Sequence, residues 1–289
     1  MYLLRMPATG AADADSIVDL LLALPDPDTS AAAALEIENA WRVDAYYTEE
    51  PGEDDIARIL NLIDTPEGFE RTTEIIALAD QDWVLSSLEA LPPVAAGRFI
   101  VHGRHDRDRV KPNQIGIEIE AGLAFGTGHH GTTKGCLLAI SEVLKRGTPA
   151  NALDVGTGTG ILAIAIARAA HAPVLATDID RDAVTVSLEN VRANAAASYV
   201  DVVQADGVKM DNVVSRGPYD LIVANILANP LVAMATGIAN LSVPGTRLIL
   251  SGLLTWQGRQ VIAAYRNRGF VLVRRYALDG WLTLEMEKH

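Results

Sequence analysis

The sequence predicts an α/β protein built around a doubly wound sheet of seven strands that ends in an antiparallel hairpin, with a small α+β domain in front of it. Two observations lead to this expectation. Beyond residue 97, short β-branched runs alternate with helical stretches, which is typical of a parallel sheet with right-handed crossovers. Before residue 73, helical and strand periods indicate a small α+β unit, and the first 95 residues hold 20 acidic but only 4 basic side chains.

The amino-terminal elements follow from hydrophobic periodicity. We expect a helix near Ala12 to Leu24, strands near Ala33 to Ile37 and Trp41 to Tyr47, and a helix near Glu53 to Ile63. These would form a domain of residues 1–72. A connecting helix or linker over 73–96 would be ended by Pro92 and Pro93, because proline lacks a backbone donor.

The remaining residues, 97–289, carry the regular alternation. The five runs expected as parallel strands are "NALDV", "PVLATDI", "YVDVVQAD", "YDLIVANI" and "TRLILSGL". The last two runs, "FVLVRRYAL" and "WLTLEMEK", are joined by little more than "DG", so they should pair antiparallel as a hairpin. Seven strands with a terminal hairpin form a narrower architecture than the general dinucleotide-binding fold.

Charge and composition indicate which kinds of partner the protein can bind and the compartment in which it is expected. The net charge is -13 and the acidity lies at the front, which disfavours direct nucleic-acid binding and favours a basic protein partner. No apolar run is long enough to span a bilayer, and the start lacks a secretory pattern, so we expect a cytoplasmic protein without membrane contact. We also expect a monomer. A single cysteine, Cys136, excludes an internal disulfide and is expected to be a small buried residue on a helix.

A glycine-rich loop indicates a nucleotide cofactor. In "LDVGTGTGILA" the residues Gly156, Thr157 and Gly158 follow a strand and precede a helix, where the backbone must turn sharply beside a ligand. Asp178 ends the next strand, 22 residues after Gly156, which suits a carboxylate on the ribose hydroxyls. The spacing also fits the G-x-G-x-x-A pattern through Ala163, so a nicotinamide or flavin dinucleotide stays open beside S-adenosylmethionine.

Three features favour S-adenosylmethionine. The loop starts directly after Val155, with no room for the longer turn of a dinucleotide site. Asp206 ends the third strand near the place expected for an adenine amino group. Asn225 stands where the fourth strand leaves the sheet, at the mouth of the crevice where the strand order reverses.

Four motifs in register then carry a family resemblance. "GLAFGTGHHGTT", "LDVGTGTGILAIA", "TDIDRDAV" and "VANILANPL" closely resemble the PrmA family, bacterial methyltransferases that modify ribosomal protein L11. The resemblance covers roughly Asp82 to His289. It implies a class I, S-adenosylmethionine-dependent methyltransferase domain behind a substrate-recognition domain. The implied reaction methylates lysine side chains and the terminal amine of a basic ribosomal protein.

The resemblance also implies roles for individual residues. Phe125 would pack near the adenosyl group, within a segment that covers the cofactor, while Thr132 and Thr133 would reach its methionine end through their hydroxyls. The amide oxygen of Asn225, with the Ile226 carbonyl, would accept the hydrogens of the target amine. Proton loss to water would precede transfer, without a dedicated base.

Two alternative functions stay open, and the sequence departs from the family pattern at a few positions. Another class I protein-lysine methyltransferase is the nearest alternative, and an NAD-dependent oxidoreductase a more distant one. The chain has His129-His130-Gly131 where the commoner family form has Thr-His-Pro, and with Gly126 and Gly128 this glycine should let the covering segment adopt positive φ angles. The adjacent histidines lack a zinc-like ligand pattern, so we expect no metal.

Overall fold

The computed structural model describes residues 2–24, 27, 29–37, 40–66, 68–77, 93–119, 131–278 and 280–289. The chain divides into two compact units, Met1–Leu88 and Glu89–His289. Phe125 and most of the expected covering segment lie outside the described residues, as does the middle of the expected connecting helix.

The first unit is a four-stranded sheet with two helices. Its elements are β1 (Tyr2–Ala8), α1 (Ala11–Ala23), β2 (Thr29–Ile37), β3 (Ala40–Tyr47), α2 (Glu53–Leu62) and β4 (Glu74–Ala77). The strand order β2-β3-β1-β4, antiparallel throughout, gives the split β-α-β-β-α-β arrangement. Leu4, Met6 and Val43 lie on the sheet face that packs against Ile17 of α1 and Ile59 of α2.

Two strands of this unit had no counterpart in the sequence prediction. β1 contains Pro7 and two adjacent buried leucines, which obscures a period of two. Glu74–Ala77, placed by the sequence in the connecting helix, instead form the edge strand β4 and pair with β1. Four residues are too few to show a periodicity, so the linker prediction fails at this end.

The second unit begins with a small sheet that the sequence did not predict. Its strands are β5 (Val94–Ala96), β6 (Phe99–His102) and β7 (Ile115–Glu118). β5, placed by the sequence in the linker, pairs antiparallel with β6, and β6 pairs parallel with β7. Two hydrogen bonds anchor this sheet: the Glu118 amide donates to Asn194 Oδ1 at 2.8 Å, and Asn194 Nδ2 donates to the Glu118 carbonyl at 2.7 Å.

The main sheet has seven strands, and the predicted fold class is confirmed. The strands are β8 (Ala152–Val155), β9 (Val174–Asp178), β10 (Val200–Gln204), β11 (Tyr219–Asn225), β12 (Ser242–Leu254), β13 (Phe270–Leu278) and β14 (Trp281–Lys288). Their order is β10-β9-β8-β11-β12-β14-β13. The pairs from β10 to β12 are parallel, while β14 pairs antiparallel with both β12 and β13, as the hairpin signal predicted.

Helices cover both faces of this sheet. They are α3 (Gly131–Leu144), α4 (Ile161–Ala170), α5 (Arg181–Ala193), α6 (Asp211–Val214), α7 (Ala228–Asn240) and α8 (Gly258–Arg266). Alternate strand residues face opposite sides: Leu221 packs in the core with α3 and α4, whereas Ile222 packs in the core with α7 and α8. Burial on both faces explains why these strands read as continuous apolar runs.

The strand order places a crevice between β8 and β11. From β8 the chain proceeds outward through β9 and β10, and then returns to β11 and proceeds the other way. Ligands of doubly wound sheets bind at the carboxyl ends of the strands where this reversal occurs. Within the described ranges, no helix combines the length and the apolarity needed to cross a lipid bilayer.

Candidate active site

The loop after β8 is a tight turn with a glycine at each position of positive φ. Gly156, Gly158 and Gly160 have φ angles of 68°, 54° and 82°, in the left-handed region. A Cβ atom on Gly156 would overlap Cγ2 of Ile226, and one on Gly160 would lie 2.8 Å from Ser187 Oγ. The loop is therefore packed between the end of β11 and helix α5.

The amide hydrogens of this loop are used within the protein. Gly156 and Thr157 donate to the Thr177 carbonyl at 2.8 and 2.9 Å, and Gly160 donates to the Thr157 carbonyl at 2.9 Å. Gly158 donates to Asp178 Oδ2 at 2.8 Å. These four donors are thus not directed at a ligand, unlike the amides of a phosphate-binding loop.

Asp178 lies at the end of β9, beside the loop, as the sequence predicted. Oδ2 of its half-buried carboxylate accepts the Gly158 amide, and Oδ1 accepts the Asp180 amide at 3.1 Å. Each carboxylate oxygen has a further lone pair. Asp178 can therefore align the glycine loop and still accept a hydrogen bond from each of two hydroxyl groups.

Asn225 lies at the end of β11 and contacts the start of α3. Its Nδ2 donates to Thr132 Oγ1 at 3.5 Å, and its Oδ1 is buried without a hydrogen-bond partner in the described part of the chain. Ser251 pairs with Asn225 in the sheet register, and its hydroxyl lies 3.4 Å from the Thr132 carbonyl. The amide is thus held with its oxygen unpaired.

Two further buried oxygens near this edge lack partners among the described residues. They are Thr133 Oγ1, on the fully buried second threonine of α3, and Asp154 Oδ1, one residue before the end of β8. Buried polar atoms in native proteins are almost always hydrogen-bonded. In the described part of the second unit, every unpaired buried side-chain oxygen or nitrogen belongs to Thr133, Asp154 or Asn225. This edge is therefore a candidate site for a polar ligand.

Asp154 ties the two ends of the glycine loop together. Its Oδ2 accepts hydrogen bonds from Thr157 Oγ1 at 2.7 Å and from the Ala163 amide at 3.1 Å. Complete burial raises the pKa of Asp154 to about 7, partly offset by these two hydrogen bonds. The sequence analysis missed this residue, although a carboxylate inside the apolar run "ALDV" was a visible signal.

Ile226 connects the two loops of the crevice. Its side chain packs on Gly156, and its carbonyl lies so close to Gly252 that a Cβ there would overlap it. Gly252 accordingly has a φ of 82°, and the Ile226 amide donates to the Ser251 carbonyl at 3.2 Å. The ends of β8, β11 and β12 are thereby fixed relative to one another.

The remaining residues at this edge include one predicted position, Gly131, that the structure places differently. Asp206 is exposed just after β10, with its amide donating to Met210 Sδ at 3.1 Å. Gly131, expected in the covering segment with a positive φ, instead opens helix α3, where a Cβ would lie 2.8 Å from the Leu278 carbonyl. Its small size therefore serves close helix packing. Ile179, which follows Asp178 and is 64% exposed, is an apolar residue at this edge that the sequence analysis did not single out.

Fold and site together define a Rossmann-like domain of the methyltransferase class. A crystal structure of a ribosomal protein L11 methylase from Lactobacillus delbrueckii subsp. bulgaricus superposes with a TM-score of 0.59 and 30% sequence identity, covering 68% of this chain and 99% of that one. The fold is therefore shared with a solved relative over about two thirds of this chain.

Sequence comparisons specify the family. The family model for ribosomal protein L11 methyltransferase (PrmA) matches residues 11–289. A ribosomal protein L11 methyltransferase of Bradyrhizobium diazoefficiens is 49% identical over 280 residues, covering 96% of this chain and 94% of the relative. One from Rhizobium leguminosarum bv. trifolii is 44% identical over 283 residues, covering 97% of each. The chain belongs to the ribosomal protein L11 methyltransferase (PrmA) family, and the oxidoreductase alternative is set aside.

Proposed function

We propose that this protein binds S-adenosylmethionine at the carboxyl edge of its main sheet and methylates lysine side-chain and terminal amines of ribosomal protein L11. The observation that supports this most directly is that Thr133, Asp154 and Asn225, at the start of α3 and at the ends of β8 and β11, each carry an unpaired buried oxygen. The proposed substrate is the large-subunit ribosomal protein for which the relatives are named.

The residues of the crevice fit this cofactor. Asp178 would accept hydrogen bonds from the ribose hydroxyls, and Asp206 would lie near the adenine amino group, with Ile179 offering an apolar surface beside it. Thr132 and Thr133 would bind the methionine end. Gly156, Thr157 and Gly158 would form the backbone under it, and Phe125 would cover the adenosyl group, as the family resemblance implies.

The loop amides favour a nucleoside over a dinucleotide. A pyrophosphate requires free backbone donors at a helix start, but the amides of Gly156, Thr157, Gly158 and Gly160 are donated inside the protein. S-adenosylmethionine carries no phosphate and needs none of them. When bound, it would supply a methyl group already activated on a sulfonium for in-line displacement.

The protein's part in the transfer is to present a neutral amine. Asn225 Oδ1, with the Ile226 carbonyl, would accept the amine hydrogens and so orient the nitrogen lone pair. Lysine has a pKa of about 10.4 in water, and a nearby positive charge together with desolvation lowers it. The segments 225–231 and 251–258, at the ends of β11 and β12, contain no ionisable side chain. We therefore assign the proton loss to water.

The first unit suits a basic substrate. Around the start of α2 the side chains of Glu49, Glu50, Glu53 and Asp54 are all exposed. Like the charge of the first 95 residues as a whole, they would attract a basic protein over several ångströms. We accordingly propose that residues 1–72 recognise the substrate. We further propose that the protein acts as a cytoplasmic monomer and binds neither nucleic acid nor membrane directly.

The test is methyl transfer to purified ribosomal protein L11. The full chain, incubated with L11 and a labelled methyl donor, should add methyl groups to lysine or terminal amines that peptide mass spectrometry can map. Asn225→Ala should lower kcat by about 100-fold while leaving S-adenosylhomocysteine affinity in calorimetry nearly unchanged. Absence of labelling, or binding of NADH in place of S-adenosylhomocysteine, would overturn the proposal.

A further inference from the structure

The three most exposed large apolar side chains in the described part of the chain share one location. Ile179, Leu227 and Trp256, which are 64%, 70% and 72% exposed, each lie within two residues of the carboxyl end of a parallel strand, β9, β11 and β12 respectively. Single exposed apolar residues are common on protein surfaces. Their concentration along one edge of one sheet is the informative feature.

The strand order divides these three residues into two groups. β9 lies on one side of the crevice between β8 and β11, and it carries Ile179 beside Asp178. Leu227 and Trp256 follow the ends of β11 and β12, on the other side. Asn225, with its unpaired amide oxygen, ends β11 and therefore lies on the same side of the crevice as Leu227 and Trp256. Leu227 and Trp256, here called the apolar rim, therefore lie on the Asn225 side of the crevice.

The two chain segments that carry the apolar rim are uncharged, and the first charged residue after the second segment is Arg259. The segments 225–231 and 251–258 read "NILANPL" and "SGLLTWQG", without one acidic or basic residue, in a chain that is 21% charged. Such a surface cannot recognise a basic substrate through its charges. It matches neutral, apolar groups, because aromatic and aliphatic side chains supply most of the binding energy at the centre of interfaces.

We propose that the apolar rim binds uncharged, apolar side chains that flank the target amine in the protein substrate. The occupant is an extended polypeptide segment whose amine reaches Asn225 while its neighbours pack on Leu227 and Trp256. The acidic first unit attracts the basic protein as a whole, and the apolar rim selects which of its amines enters the site. This inference rests on the proposed methyltransferase function.

The experiment is steady-state methylation of purified ribosomal protein L11 by the full-length protein. Trp256→Ala should raise the KM for L11 about tenfold, with kcat within about twofold, and Leu227→Ala should act in the same direction. Trp256→Phe should restore most of the affinity, because it keeps an aromatic face. The matched control is Val271→Ala, an exposed apolar residue near the start of the edge strand β13, which should leave KM unchanged.

A substrate-side variant tests the chemistry of the occupant. Once mass spectrometry has located a methylated lysine, its apolar neighbours in L11 are replaced by glutamate. The KM of the wild-type enzyme at that lysine should rise, and Trp256→Ala should add little to that rise, because the two changes remove the same contact.

Two results would overturn the inference. One is an unchanged KM in both Trp256→Ala and Leu227→Ala. The other is a loss of S-adenosylhomocysteine affinity in calorimetry as large as the rise in KM, which would place these side chains against the cofactor. A wild-type protein that does not methylate L11 would instead overturn the proposed function, and this inference with it.

Discussion

Asn225 donates a hydrogen bond from its amide nitrogen to the hydroxyl of Thr132, which leaves the amide oxygen of Asn225 buried and unpaired. The contact joins the end of β11 to the first turn of α3. It holds the amide nitrogen at Thr132 and leaves the oxygen as the unpaired end of the amide. Without an acceptor at Thr132, the amide could rotate and present its nitrogen, which cannot accept a hydrogen bond from an amine.

Thr132→Val should therefore lower kcat by about tenfold, because it preserves the shape of the side chain but removes the acceptor. Thr132→Ser should retain most of the activity. Rapid-quench measurement of methyl transfer, with S-adenosylhomocysteine affinity measured in parallel, separates the two roles given to this residue. A fall in affinity without a change in kcat would show that Thr132 serves the cofactor and does not orient Asn225.

Asp178→Ala should weaken S-adenosylhomocysteine binding by at least about tenfold, because hydrogen bonds to a charged carboxylate contribute about 1.5–3 kcal/mol each. The variant also loses the acceptor for the Gly158 amide. Calorimetry measures the affinity. Asp201→Ala is the control, since Asp201 lies near the other end of the neighbouring strand β10, paired with Arg216. Equal affinities for Asp178→Ala and the wild type would contradict the ribose assignment.

Gly252→Ala should destabilise the protein and reduce transfer, because the new methyl group would overlap the Ile226 carbonyl and displace the end of β11. Gly245→Ala is a close control: Gly245 has a φ of 88°, against 82° for Gly252, but no atom within 4 Å of its Cβ position. The control should lose about 1–2 kcal/mol from backbone strain alone, and Gly252→Ala about 1–3 kcal/mol more from overpacking. Denaturant unfolding compares them, and equal losses would argue against the close contact.

Asp154 should make stability depend on pH in an unusual direction. Burial raises its pKa from 3.8 to about 7, so between these values the folded protein binds a proton that the unfolded chain has released. The contribution of Asp154 to the free energy of unfolding is therefore greatest below the unfolded pKa and declines as pH rises towards 7.

Asp154→Asn cannot titrate but keeps an oxygen for Thr157 and Ala163. The free energy of unfolding of the wild type minus that of Asp154→Asn should be larger at about pH 5 than at about pH 8. Urea titrations at both pH values measure this difference, in which the contributions of the other groups cancel. A difference that is independent of pH would show that the carboxyl is ionised throughout.

The main sheet was predictable from sequence, while several shorter elements were not. Alternating strands and helices beyond residue 97 determine a parallel sheet, because each run is long enough to show its period and the hairpin lacks a crossover helix. β5, of three residues, and β4, of four, contain no measurable period. Their pairing depends on partners distant in sequence, which a local pattern does not reveal.

The positions of Gly156 after β8, and of Asp178 and Asn225 at the ends of β9 and β11, were predictable from the motifs to which they belong. The role of Asp154 depends on burial on both faces of the sheet, and that of Gly131 depends on a contact with Leu278. Neither the burial of Asp154 nor the contact between Gly131 and Leu278 can be inferred from sequence spacing. The prediction of a positive φ at Gly131 was wrong because a glycine can serve either a left-handed turn or a close packing contact, and only the packing distinguishes the two.

The contact between Gly131 and Leu278 limits how this protein can be engineered. Only Asp279 and Gly280 separate Leu278 from Trp281, and a Cβ on Gly131 would lie 2.8 Å from the Leu278 carbonyl. A fluorescent label or affinity peptide inserted between Leu278 and Trp281 would disturb a carbonyl that packs against the helix whose next two residues are Thr132 and Thr133. The open surroundings of Gly245 offer a safer insertion point.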